Sequence, residues 1–63
     1  MDIYETAILN YVRERDGQTV LMKDLCKDLK ISDKTAAKKI KSLTENGQIK
    51  REGKKFYYLG GVE

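Results

Sequence analysis

The stretch Leu21–Leu59, LMKDLCKDLKISDKTAAKKIKSLTENGQIKREGKKFYYL, decides the fold. Met22, Leu25, Cys26 and Leu29 recur at the 0, 3, 4, 7 spacing of a buried helical stripe, predicting a helix over residues 23–29. Lys30-Ile31 follows as a tight turn. Ser32 then offers a hydroxyl oxygen to the free amides of a new helix, which runs to about Glu45. Asn46-Gly47 stops that helix. Residues 48–51 and 54–59 read as two strands joined at Glu52-Gly53.

Upstream, Asp2 and Glu5 have the spacing of a capping box. They open a helix over residues 3–15, with Tyr4, Ala7, Ile8, Tyr11 and Val12 as its core stripe. Asp16-Gly17 closes it, with Gly at the left-handed position after the cap. Residues 18–22 favour an extended segment, the outer strand of a small sheet. The expected fold class is α+β and mainly α. It has three helices and a small antiparallel sheet, in the order helix, strand, helix, helix, strand, wing, strand.

At 63 residues the chain is one domain, with its core expected over residues 3–59 and residues 60–63 as a loose tail. Domains this small bury only about 60% of the surface of the unfolded chain. One core is affordable, but a deep substrate pocket beside it is not. No apolar run reaches the ~20 residues that span a bilayer, and the N-terminus lacks the pattern of a signal peptide. Cys26 is the sole cysteine and there is no histidine, so neither an intrachain disulfide nor a multi-ligand zinc site can be built. Cys26 reads as a small buried core residue. Without histidine, a Gly-rich phosphate loop or a nucleophile paired with a base, an enzyme is not expected. Neither a cofactor, a metal nor a small-molecule ligand is expected. Asp24 and Asp28 interleave with Lys23 and Lys27 as a solvated helix face.

The net charge of +3 is modest, but its distribution is uneven. Residues 1–29 carry four basic and six acidic side chains, a net of −2. Residues 30–63 carry nine basic and four acidic, a net of +5. That asymmetry gives the molecule one side suited to a polyanion. On a helical wheel the helix from Ser32 puts Ala36, Ile40 and Leu43 on one side. Lys34, Lys38 and Lys41 lie opposite, with Thr35 and Lys39 flanking them and Ala37 on the other flank. A lysine stripe alone is more often a solvated face than a binding surface. Here a second basic feature follows it: Lys50, Arg51, Lys54 and Lys55 crowd the hairpin tip. Such lysines also protect an edge strand from aggregation, and the two roles are compatible. Ammonium groups on a ridge neutralise phosphates or meet guanine acceptors, and the Ala37 methyl can meet a thymine methyl. Ser32, at the helix start, has amides that favour an anion. With a two-residue loop, Ile49 is expected to pair with Phe56, and Phe56 and Tyr58 to share the core face.

Leu25-Cys26-x-x-Leu29, Ile31-Ser32-x-x-Thr35-Ala36 and Ile40-x-x-Leu43-x-x-x-Gly47-x-Ile49, followed by the basic Lys50–Tyr58 hairpin, carry a resemblance. The chain resembles the winged helix-turn-helix domains of bacterial and archaeal transcription regulators over about residues 3–59. The resemblance implies a double-stranded DNA partner and a cytoplasmic transcription regulator, with repression favoured. It implies a recognition helix in the major groove and a wing on the flanking backbone or minor groove. The residues that the helical wheel and the basic hairpin put forward for DNA contact are Ser32, Lys34, Thr35, Ala37, Lys38, Lys39, Lys41, Lys50, Arg51, Lys54 and Lys55. The helix ridge departs from base-reading patterns in carrying lysine but no Arg, Asn or Gln. A homodimer through the first helix, using Tyr4 or Tyr11, would compensate for weak readout by each copy. The alternative reading is a protein-interaction module, or the DNA-binding domain of a larger replication or regulatory protein.

Overall fold

The computed structural model describes residues 2–59. The expected tail, residues 60–63, lies outside the described residues.

The chain begins with the capping box that its sequence spells. Asp2 Oδ1 accepts from the Glu5 amide at 2.8 Å, and Glu5 Oε1 accepts from the Asp2 amide at 3.1 Å. Two amides that the first turn leaves unpaired are thereby satisfied. Helix α1 runs Ile3–Glu14 and buries Ile8 and Val12. Ala7 and Tyr11 are only half-buried. Tyr4, expected in the core, is 47% exposed. It occupies the first turn of α1, where it borders Leu29 and Ile31 at the surface and stays outside the core cluster. Gly17 has the expected positive φ, but it stands two residues past the Arg15 cap rather than directly after it.

Strand β1 is only Val20–Leu21, shorter than the predicted segment, because α2 (Met22–Leu29) starts at once. The Met22 amide donates to the Lys54 carbonyl at 3.0 Å, tying the start of α2 to the hairpin. Helix α2 buries Leu25 and Cys26. It ends at Lys30, which takes the left-handed conformation (φ 58°) normally left to glycine. That turn lets the Ile31 amide donate to the Cys26 carbonyl at 3.2 Å and aims the chain into the next helix.

Helix α3 (Asp33–Glu45) is capped by Ser32, whose Oγ accepts from the Thr35 amide at 3.1 Å. It buries Ala36, Ile40 and Leu43. Its end is a Schellman motif. The Gly47 amide donates to the Thr44 carbonyl at 3.0 Å and the Gln48 amide to the Leu43 carbonyl at 3.1 Å, with Gly47 at φ 77°. Strands β2 (Ile49–Glu52) and β3 (Lys55–Tyr58) form the hairpin. The sheet order is β1-β3-β2, so the last strand in the chain is the central one, with β1 outermost as expected.

The hairpin register differs from the expected one. Its loop is Gly53-Lys54, not Glu52-Gly53, so Ile49 pairs with Tyr58 and Arg51 with Phe56. Gly53, at φ 65°, occupies the first central position, where a type II′ turn requires the glycine. The slip is two places along the partner strand. Strand side chains alternate with period two, so Phe56 and Tyr58 keep the face assigned to them. Phe56 is fully buried and Tyr58 half-buried. The core gathers Ile8 and Val12, Leu25, the inner face of α3, Ile49 and Phe56. Each large apolar side chain so buried contributes roughly 1.5–3 kcal/mol. No polar or charged residue is buried among the described residues.

Candidate nucleic-acid interface

Because Ala36, Ile40 and Leu43 fix the inner side of α3, its outer side is determined. Lys34, Lys38 and Lys41 are all exposed there, with Ala37 half-buried beside them. At the head of the helix, Ser32 Oγ also donates to Thr35 Oγ1 at 3.0 Å. That bond leaves the Thr35 hydroxyl proton free for an acceptor outside the protein.

Lys39 is placed differently from the other lysines. Its ammonium lies 2.5 Å from Asp2 Oδ2, at the N-terminus of α1. The hydrogen bond to Asp2 raises its pKa, against a smaller opposing effect of desolvation. In return, the Lys39 bond is the largest influence holding the Asp2 carboxyl below its ordinary range. Lys39 belongs to the contact between α1 and α3, and the ridge carries three lysines without it.

Residues 50–55 are exposed throughout. Alternation splits them between two faces. Lys50 pairs with Tyr57 and Glu52 with Lys55 on the outer face. Arg51 shares the face of Ile49 and Phe56, the one packed toward α3. Its guanidinium carbon lies 5.8 Å from the centre of the Phe56 ring, and its Nε donates to the Gly53 carbonyl at 2.8 Å. The side chain thereby reaches the helix. One open groove is lined by Ala37, Lys38, Lys41, Thr44, Glu45 and Arg51. A second depression is lined by Met22, Lys23, Asp33, Ala37, Arg51 and Lys54.

Ala37 and Arg51 border both hollows. Of the residues predicted from sequence, Ala37, Lys38, Lys41, Arg51 and Lys54 are thus brought together around two adjoining hollows. Ser32, Lys34 and Thr35 lie further toward the head of α3, and Lys50 and Lys55 on the wing's outer face. Lys23 and Thr44 also line these hollows, though sequence reasoning did not single them out. Lys23 sits in the acidic half of the chain and is brought to the wing by the pairing of Leu21 with Lys55 and the bond from Met22 to Lys54. Thr44 spends its hydroxyl on the Ile40 carbonyl at 2.8 Å.

On the other side of the molecule, α1 and α2 are clamped by polar contacts. The Tyr11 hydroxyl donates to Asp28 at 2.5 Å, and the Arg15 guanidinium lies 3.7 Å over the Tyr11 ring. Tyr11 is therefore engaged within the fold. Tyr4 instead joins Ile3, Ala7, Leu29 and Ile31 around an apolar hollow. Cys26 is buried as expected. Burial first, then the neighbouring Asp33 carboxylate, pushes the thiol up to about 11. It is a protonated core side chain at neutral pH.

No helix among the described residues is long and apolar enough to cross a membrane. Neither the curated proteins nor the solved structures yield a significant match to the sequence. A family model described as a winged helix DNA-binding domain matches residues 3–59, nearly the whole chain. With three helices, a three-stranded antiparallel sheet and a basic hairpin beside the third helix, the chain belongs to the winged helix DNA-binding domain family.

Proposed function

We propose that this domain binds double-stranded DNA as a small transcription regulator, acting in the cytoplasm and favouring repression by covering its site. Residues 32–45 enter the major groove, and the wing at residues 50–55 lies on the flanking backbone or minor groove. One observation carries this reading: the Lys38–Lys41 side of α3 and the Arg51–Lys54 side of the wing border two adjoining, mainly basic hollows that share Ala37 and Arg51. Two separate basic elements converging on a hollow fit a curved polyanion better than they fit a solvated face. Lys34 extends the surface toward the helix head, where the Thr35 hydroxyl and the first-turn amides that follow Ser32 offer polar hydrogens to a phosphate.

Binding of a fluorescent duplex, followed by anisotropy across a salt series, tests the reading. The wild type is expected to bind with a steep salt dependence. Lys38→Ala, Lys41→Ala, Lys54→Ala and Lys55→Ala are each expected to weaken it, every lost phosphate contact reducing the slope by about 1. Ridge variants that bind like the wild type would contradict the placement of α3 in the groove. Normal binding by the wing variants would leave the wing as edge protection alone.

A second reading concerns the first helix. The apolar hollow around Ile3 and Tyr4 favours a partner on the first helix, and a second copy is the partner that would supply two half-sites. Tyr4, not Tyr11, would carry that contact. Sedimentation of the free and duplex-bound protein distinguishes one copy from two.

A further inference from the structure

Arg51 is the one arginine on the cationic surface, since Arg13 and Arg15 both belong to the α1 end of the chain. Its backbone is fixed by pairing with Phe56 in the central strand. Its guanidinium is positioned twice, by the Phe56 ring and by the bond from Nε to the Gly53 carbonyl. Among the described residues, its two terminal nitrogens have no hydrogen-bond or ion-pair partner. A planar group with one edge already tied and the other edge free is prepared for a partner with two acceptor atoms.

The position of that free edge selects the acceptor. Between a major groove and the adjoining minor groove runs one sugar-phosphate strand. With α3 in the first groove and the wing at the second, that strand passes through the hollow between them, which Arg51 borders beside Ala37. The small Ala37 side chain leaves the approach open, and Lys38 and Lys41 flank it with positive charge. We propose that Arg51 is a two-pronged clamp on a phosphate of this intervening strand, fixing the helix and the wing to DNA in one register. The clamp rests on the DNA-binding reading above and assigns Arg51 a positioning role that carries no base sequence.

The test compares wild type, Arg51→Lys and Arg51→Ala on two duplexes of equal length, one entirely A·T and one entirely G·C. Thermal melts confirm that each variant is folded. Lysine keeps the charge but loses the fork. Arg51→Lys is expected to weaken binding to both duplexes by the same factor, roughly tenfold for one lost charge-assisted hydrogen bond. Its salt slope should match that of the wild type. Arg51→Ala should bind more weakly still, with the slope reduced by about 1. A loss confined to the G·C duplex would make Arg51 a base reader and overturn the clamp. Equal binding by Arg51→Lys would overturn it too, because a point charge would suffice. If the wild type binds neither duplex, the DNA-binding reading fails and the clamp with it. A check without substitution uses wild-type NMR: the Arg51 terminal N–H signals should shift on adding either duplex. Unmoved signals in a protein that binds would also overturn the clamp.

Discussion

The Lys39 ammonium lies 2.5 Å from Asp2 Oδ2, joining the third helix to the residue that caps the first. Two adjacent lysines in the same helix are thereby given different tasks. Lys38 faces the concave cationic surface, whereas Lys39 completes the capping of α1. Lys39→Ala is therefore expected to lower the melting temperature while weakening duplex binding much less than Lys38→Ala. Paired anisotropy and thermal melts check this. Equal binding losses at the two positions would return Lys39 to the ridge.

Acid should undo the same contact. Asp2 is held below its ordinary value of 3.8, chiefly by Lys39 and then by the Glu5 amide. Glu5 is held below 4.5, chiefly by Ser42 and then by the Asp2 amide. Groups with depressed folded pKa values stabilise fully above their unfolded values, and that stabilisation is lost as pH falls through the folded ones. Lys39, raised above 10.5, loses its share only as pH climbs through its folded value. The melting temperature should thus lose no Asp2 or Glu5 contribution near neutrality and fall below about pH 4. Asp2→Asn should melt lower at neutral pH and show a shallower acid decline.

Tyr11 joins α1 to α2 through Asp28, and neither residue lines the cationic hollows. Tyr11→Phe removes that bond and is expected to cost about 1 kcal/mol, the net worth of a typical hydrogen bond. Duplex binding should be unchanged. The Asp28 bond and then burial also raise the Tyr11 phenol above its usual 10.0. In an ultraviolet titration it should lose its proton late. An early Tyr11 titration would show that the clamp does not persist in solution.

Backbone geometry gives a pair of opposite predictions. Lys30 holds a left-handed φ of 58° at the turn before α3, so Lys30→Gly should stabilise the fold by about 0.5–1 kcal/mol. Gly47 holds φ 77°, and a Cβ placed there meets nothing within 4 Å. Gly47→Ala should nevertheless destabilise by about 1 kcal/mol, because the strain lies in the backbone and not in packing. Denaturant titration measures both. An unstable Lys30→Gly would show that the Lys30 side chain contributes more than its backbone strain costs.

What could be read from the sequence was local. Asp2 with Glu5, Ser32 alone, and Asn46-Gly47 specify helix ends within a few residues of chain, and each appears where the residue types demand. The inner and outer faces of α3 were equally legible, because helical periodicity fixes them together. The contacts that escaped depend on distant segments. Lys39 turns away from the ridge because Asp2, far earlier in the chain, is brought beside it. The hairpin register moved by two because Gly53 takes the first turn position, a choice between neighbouring loops that alternation alone leaves open. That shift sets Arg51 opposite Phe56. Tyr4 satisfies the helical stripe but lies at the surface in the first turn of α1, outside the core cluster.

The central claim is that α3 and the wing bind duplex DNA together, and a backbone amide NMR titration with a short generic duplex at low salt tests it most directly. Shifts are expected to concentrate in residues 32–41 and 50–55, including Arg51, with little change at Tyr11 and Asp28. A folded protein whose amides stay unmoved in both segments would contradict it. Attention would then pass to the apolar hollow at Ile3 and Tyr4.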